Sequence, residues 1–290
     1  MKVSVIICTR NRRKLLMERA LPSVLKQTYK DFEVIIIDDA SEDDTLKKVL
    51  ALEDKRITIV RNEKRRGLAY GRNLGAKLAK GEYVVSLDDD NMFHPTFLQK
   101  TAWYLDMNDV GAVGVGKNIV YPEREVYQKP PRVSVYCSIN DGWLIRKDAF
   151  NAIKCDETLN ANEDADLGIR FCKVYNIGRI DEPLMTVYGS AAINKTSYSD
   201  YSEFHLDGMD VFIEKHLDTL LEHPKELAHV FRQAGRMNYL GGKREKALDY
   251  FWRAEFAQPS LRNWLHLTLA KLGIYKPFFI LETKIIRYFK

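Results

Sequence analysis

The stretch "GEYVVSLDDDNMFHP", Gly81 to Pro95, sets three carboxylates and an amide directly behind an apolar run. Asp88 and Asp90 have one residue between them, so on extended backbone they point to one side and Asp89 to the other. Two carboxylates converging on one point raise each other's pKa, and a hard divalent cation relieves that conflict and keeps both ionised. A plainer use for such a run is to solvate and cap the helix beyond Pro95. A second acidic strand end, Asp38 and Asp39 in "VIIIDDAS", shifts the balance toward chemistry. If the two ends are neighbours in one sheet, a crevice of concentrated negative charge results. A metal bound there takes phosphates, and an isolated carboxylate takes the donors of a base or sugar. A third acidic group, Glu163, Asp164 and Asp166 in "NEDADLGIRF", comes after Asn162 and on its own reads as a capped helix start.

These residues need elements to hold them. "KVSVIICT" reads as a strand, "RRKLLMERALPSVLKQT" as a helix irregular at Pro22, and "FEVIIIDD" as a strand whose continuous apolar run suits a sheet covered on both faces. "SEDDTLKKVLALEDK" reads as a helix capped by Ser41, with Asp44 three residues on. The strand "RITIVRN", the Ala- and Leu-rich helix "LAYGRNLGAKLAKG" and the strand "EYVVSLD" complete an α/β domain with a mainly parallel sheet, whose ligand belongs at the carboxyl ends of the strands. Beyond Pro95 come the helix "TFLQKTAWYLDMN", the strand "VGAVGVGKNIVY", the loop "PEREVYQKPPR", a strand within "VSVYCSINDGWLIRKDAF", a helix from "NEDADLG" and the strand "RIDEPLMTVYG". From about Ser202 helix formers dominate, and "YLGGKREKALDYFWRAEFAQP" is similar to one tetratricopeptide hairpin, with Ala247 and Ala254 at close contacts and Pro259 after the second helix. We therefore expect an α/β domain over residues 1–200 and a helical domain over 201–290, with the border between Gly189 and Asp207.

Composition narrows the classes. Lys plus Arg number 45 against 40 Asp plus Glu, and an excess this small, spread along most of the chain, argues against a nucleic-acid partner. The four Cys, Cys8, Cys137, Cys155 and Cys172, form no CxxC pair and read as buried thiols of a reducing compartment. No apolar run approaches the roughly 20 residues that cross a bilayer, and the first strand begins too early for a signal peptide, so a cytoplasmic location is expected.

The ordered series "VSVIICTRNR", "YKDFEVIIIDDASEDDT", "RGLAYGRNLGAKLAKGEYVVSLDDDN", "INDGWLIRKDAF" and "NEDADLGIRF" is similar to the family-two glycosyltransferases over Lys2 to Tyr188. The resemblance implies a GT-A fold, a nucleotide-diphospho-sugar transferase architecture that is Rossmann-like, and an inverting enzyme. It places Thr9, Arg10 and Asn11 in the loop that meets the nucleotide, Asp39 on the base with Asp38 beside it, and Arg72 near the nucleotide with Gly67 at the turn upstream. Asp88 matches the acid near the ribose. Asp90 matches the acid that holds Mn²⁺ or Mg²⁺ against the diphosphate, with Asp89 between them and Asp88 as a second candidate ligand. Asn91 stands where many relatives carry a further acid. Asp164 matches the catalytic base, flanked by Glu163 and Asp166. His205 is a candidate extra metal ligand, since some enzymes of this fold take a late His.

The resemblance thus implies a sugar transferase whose donor is a nucleotide-diphospho sugar, most often a UDP-sugar, and whose acceptor is a glycan or lipid-linked glycan. The rivals are a nucleotide-sugar-binding protein without catalysis and a scaffold acting through its helical domain. "GAVGVG" lacks the position and partner acid of a dinucleotide fingerprint, and "GLAYGRNLG" lacks the Walker lysine. The loop from Pro122 to Arg132, with Tyr121 and Tyr127, suits an acceptor groove. The basic, aromatic tail Phe278 to Lys290 suits an anionic membrane interface, hence the cytoplasmic face of the cell membrane, or packing on the helical domain or on a second subunit.

Overall fold

The computed structural model describes residues 1–121, 123–130, 138–139, 141–159, 162–188 and 203–275, with backbone alone for 203–205. The chain divides into two compact units. The first comprises Met1–Thr158 with Glu163–Thr196, and the second Leu159–Asn162 with Ser197–Lys290.

In the first unit, β1 (Val3–Thr9), β2 (Phe32–Asp38), β3 (Ile57–Arg61) and β4 (Tyr83–Ser86) form a parallel half-sheet in the order β3-β2-β1-β4. The helical segment after β1 is α1 (Arg13–Leu15), a π-helical turn Leu16–Ala20 and α2 (Leu21–Leu25); the wide turn just before Pro22 is the expected irregularity. α3 (Thr45–Leu50) starts later than Ser41 predicts. Asp43 takes the Thr45 amide and hydroxyl, while Ser41 is tied back to the strand ends. After α4 (Leu68–Leu78) and the two-residue β5 (Met92–Phe93) come α5 (Phe97–Met107), β6 (Ala112–Tyr121), β7 (Arg124–Gln128), β8 (Trp143–Arg146), α6 (Lys147–Ile153), α7 (Glu163–Cys172) and β9 (Ile177–Tyr188).

The second half of the sheet is not parallel as a whole: β8 runs antiparallel to β4 and β6, and β5 to β9, with only β6–β9 parallel. The segment read as an acceptor loop contains β7, which forms a hairpin with β6. Its Tyr127 hydroxyl donates to the Asp181 carbonyl instead of standing free. Pro122, Pro131 and Arg132 lie outside the described residues.

Strand alternation splits the core into two layers. Val3, Val5, Ile7, Val34 and Ile36 pack under α1–α2 and α5, and Ile6, Ile35 and Ile37 pack under α4, α6 and α7. Each such side chain, fully buried, is worth about 1.5–3 kcal/mol. The glycines of "GRNLG" set the depth of α4: a Cβ on Gly71 would lie 2.7 Å from Cys8 Sγ, and one on Gly75 2.4 Å from Ile6 Cγ2. The helix therefore sits directly on β1, which buries the neighbouring Arg72. Cys8, Cys155 and Cys172 are free thiols.

The second unit contains α8 (Glu203–Leu221), α9 (Pro224–Leu240), α10 (Arg244–Ala257) and α11 (Leu261–Lys271). Small residues bring α9 and α10 together. Ala234, Ala247 and Ala254 are buried, and a Cβ on Gly235 would lie 2.7 Å from Phe251 Cδ1. Ser260 caps α11 by accepting from the Asn263 amide at 3.1 Å. Among the described residues no helix is long and apolar enough to cross a membrane.

Candidate active site

Because β1 lies between β2 and β4, the loops after these three strands meet at one edge of the sheet. Asn11, in left-handed backbone at φ 52°, staples the first loop to the second: its amide donates to Ser41 Oγ at 3.0 Å and its Oδ1 accepts from the Glu42 amide at 2.6 Å. The Thr9 hydroxyl donates to Asp89 at 2.7 Å. Arg10 keeps a buried Nε–H without a partner, a donor aimed at nothing in the protein itself.

Asp39 takes three donors, Asn62 Nδ2 (2.8 Å), the Arg66 amide (2.8 Å) and the Gly67 amide (2.9 Å). It thereby fixes the basic turn ahead of α4, where Gly67 adopts φ 86°. A carboxylate offers about four acceptor sites, so one remains for a ligand. Asp38 is fully buried. Its Oδ1 takes the Ser41 amide at 2.9 Å, and its Oδ2 has no hydrogen bond, with Arg61 Nε 3.9 Å away.

The three aspartates do not alternate as on a strand. β4 ends at Ser86 and the run turns, so Asp89 and Asp90 both pair with Arg12, while Asp88 faces Arg72. Burial pushes Asp89 up to about 7, with the charge of Arg12 and the hydroxyl of Thr9 pulling it back. Asp88 is 40% exposed, the most open carboxylate of the run.

Arg72, 6% exposed, spans the crevice: Nη1 lies 2.8 Å from Glu163 and Nη2 3.5 Å from Asp88. Burial works against the charge on its guanidinium, and the charges of Glu163 and Asp88 more than offset that. Glu163 is pushed up by burial, with Arg72 opposing and Asp164 adding to the shift. Asp164 opens α7 beside it; one oxygen accepts from the Ser138 hydroxyl and the other from the Ala165 amide at 2.9 Å. Asp166 does not reach the crevice. It is fully buried and paired with Arg170 at 2.5 Å, which also donates to the Ile153 and Lys154 carbonyls and so ties α7 to the end of α6.

Asp141, two residues before β8, lies in the family-like stretch "INDGWLIRKDAF", where the resemblance assigns it no role, and proves central. Its buried carboxylate accepts from the Asp88 amide at 2.8 Å and from Asn91 Nδ2 at 2.6 Å, while Asn91 Oδ1 accepts from the Tyr188 amide at 3.2 Å. Burial and the charge of Asp88 push Asp141 well above the usual carboxylate range. Arg19 braces the same turn from outside, donating to the Asp90 carbonyl at 3.3 Å with its guanidinium over the Tyr188 ring. Cys8 and Cys155 near Arg72 are no nucleophiles, because burial pushes both thiols up to about 12.

Among the described residues no three His, Cys, Asp or Glu side chains are placed to enclose a metal ion, and the His205 side chain lies outside them. Asp88 faces Arg72 and Asp90 pairs with Arg12, so the two carboxylates are turned to different partners; Mg²⁺ or Mn²⁺ on a diphosphate needs one or two carboxylates and leaves the remaining positions to phosphate oxygens and water.

A half-parallel sheet with acids gathered at the ends of β2 and β4, on either side of β1, and an acidic helix start linked to them through a buried arginine, has the architecture of the GT-A transferases. Residues 4–169 match glycosyl transferase family 2, and the chain belongs to that family. Among curated relatives it is 31% identical over 147 residues to the UDP-Glc:alpha-D-GlcNAc-diphosphoundecaprenol beta-1,3-glucosyltransferase WfaP of Escherichia coli, covering 47% of this chain and 57% of that protein. The first curated relatives are uncharacterized glycosyltransferases, and the chain spans about a third of their length. Among solved structures, S. aureus TarS in complex with UDP matches with a TM-score of 0.60 at 20% identity, over 90% of this chain and 92% of that one. The mannosyltransferase PcManGT from Pyrobaculum calidifontis, in complex with GDP-Man and Mn²⁺, matches with a TM-score of 0.59 at 20% identity, over 97% and 83%. At these identities both describe a shared fold.

Proposed function

We propose that this chain transfers a sugar from a nucleotide-diphospho sugar, a UDP-sugar, to a hydroxyl of a glycan or lipid-linked glycan, with inversion at the anomeric carbon. The observation that carries the reading is buried Arg72, which joins Asp88 on the nucleotide side of the crevice to Glu163 at the start of α7, one residue from Asp164. Thr9, Arg10 and Asn11 line the donor side, with the unpartnered Arg10 N–H as a hydrogen-bond donor for an anion. Asp39 keeps the Gly67 turn in place and offers its remaining acceptor site to the base.

On the acceptor side Asp164 takes the hydroxyl proton as the oxygen attacks the face opposite the leaving diphosphate. Ser138 and the Ala165 amide fix the plane of its carboxylate, so its orientation is set before the acceptor arrives. Asp88 and Asp90 would hold Mn²⁺ or Mg²⁺, which would supply positive charge to the departing diphosphate. Asp90 would then exchange Arg12 for the cation.

Support for a UDP-sugar comes from the name of the E. coli relative and the UDP held by TarS; support for a lipid-linked acceptor comes from that same relative. Such an acceptor sets the reaction at the cytoplasmic face of a membrane. We assign catalysis to residues 1–200.

A thermal-shift screen of UDP-, GDP- and dTDP-sugars with and without Mn²⁺ tests the reading. One nucleotide series should raise the unfolding midpoint, the more so with Mn²⁺, and Asp90→Ala should remove the metal-dependent part. No shift with any donor overturns it.

A further inference from the structure

Arg12 holds the aspartate run with two arms, and the two contacts are not alike. Nη1 lies 2.9 Å from Asp89 Oδ1, and Nη2 pairs with Asp90 Oδ2. Asp89 is 2% exposed, and its second oxygen accepts from the Thr9 hydroxyl at 2.7 Å, so that carboxylate is fixed through both oxygens. Asp90 is more open, and among the described residues Arg12 is the partner of its side chain. The backbone of the turn does not depend on that pair: Arg19 donates to the Asp90 carbonyl at 3.3 Å, and the Asn91 amide donates to the Asp88 carbonyl at 3.1 Å. The backbone leading into Arg12 is fixed as well, because Asn11 is stapled to Ser41 and Glu42. What can move is one long side chain, 33% exposed, between two fixed loops.

Charge gives that motion a direction. Asp88, Asp89, Asp90 and Glu163 share Arg12 and Arg72, so carboxylates are in excess. In the absence of donor, Arg12 offsets Asp90, and a divalent ion that reaches Asp90 has to displace it. A diphosphate reverses the preference. Its oxygens offer a planar guanidinium the same kind of acceptor that a carboxylate does, so Nη2 can leave Asp90 without losing a charged partner while Nη1 stays on Asp89. Asp90 is then free for the metal. Metal and diphosphate should therefore each bind better when the other is present, with one side chain carrying the coupling. Arg72 cannot do the same, since it is 6% exposed and held between Glu163 and Asp88.

We propose that Arg12 couples the two ligands of the crevice: it occupies Asp90 in the absence of donor and turns about its Asp89 contact to the diphosphate when donor and metal enter. This role rests on the donor reading given above. The test is Mn²⁺ binding by the full chain, read from the electron paramagnetic resonance of free Mn²⁺, with and without UDP or GDP and corrected for the Mn²⁺ that the nucleotide takes up by itself. One nucleotide should tighten Mn²⁺ binding by the parent about tenfold or more. Without nucleotide, Arg12→Gln should bind Mn²⁺ about tenfold more tightly than the parent, because a charge-assisted contact no longer competes, and its response to nucleotide should be smaller. A merely structural arginine would, on removal, strengthen neither. Arg12→Lys keeps the charge beside buried Asp89 and so the fold, but a point-charge ammonium cannot hold Asp89 and phosphate with separate arms. It should bind Mn²⁺ alone as weakly as the parent and lose part of the coupling, which decides the matter if the Gln variant does not fold. The two readings fail apart. A parent that responds to neither nucleotide overturns the donor reading and with it the coupling, whereas a responsive parent whose folded Gln variant binds Mn²⁺ alone no more tightly overturns the role of Arg12. So does Arg12→Lys with the parental coupling.

Discussion

Glu163 and Asp164 are adjacent carboxylates given to different partners, and the difference separates their work. Glu163 is the counter-charge of a buried guanidinium, and Asp164 is held by a hydroxyl and an amide. Asp164→Asn removes the proton acceptor while leaving the donor side untouched, so transfer should fall by about 10²–10⁴ with the donor-induced thermal shift retained. Transfer at the parental rate would remove Asp164 from its role. Glu163→Gln should act mainly on stability: it leaves Arg72 buried with only the more distant Asp88. Loss of one member of a buried pair costs about 3 kcal/mol or more, to be read as a lowered denaturant midpoint. A glutamine variant as stable as the parent would show that the ion pair contributes little.

The turn from Asp88 to Asn91 is held less by its own sequence than by Asp141, fifty residues on. In Asp141→Asn one amide would oppose the Asn91 amide, donor against donor, because Asn91 Oδ1 already accepts from Tyr188. Donor binding should weaken, since the turn carries Asp88 and Asp90. Adding Asn91→Asp restores an acceptor for both the new amide and the Tyr188 N–H, and should recover most of the lost affinity; strictly additive losses would refute the coupling. This network also marks the limit of what could be read in advance. Apolar runs placed β1, β2 and β4, the last two ending in acids, and the glycines and alanines of "GLAYGRNLGAKLA" placed α4. The turn that parts Asp90 from Asp88, the burial of Asp166 against Arg170 and the supporting roles of Ser138 and Asp141 arise from contacts between distant segments, for which local periodicity carries no signal. Ser41 failed as a cap for the same reason: Asp38 and Asn11 claim it.

Among the described residues the sheet packs a core on each of its faces and the helical unit packs one around Phe251, Ala270 and Tyr275, so the two units should respond to different agents. Donor and metal stabilise only what they bind, by about 2.7 kcal/mol at a hundredfold excess over Kd. Acid should act on the helical unit through His229, whose pKa is pushed down to about 4 by burial and by Arg232, Arg262 and Arg236, with Glu226 opposing. Arg232 lies 3.3 Å from its Nδ1. The unfolded chain takes up this proton near the ordinary value of 6.5, before the folded unit does, so the stability His229 contributes is full above 6.5 and is lost as pH falls toward 4. Calorimetry should therefore resolve two transitions. One should rise with nucleotide sugar and Mn²⁺, and the other should fall between pH 6.5 and 4 by an amount that His229→Gln reduces. A single transition that moves with both agents would mean that the units unfold as one, and that His229 and the crevice draw on a common stability.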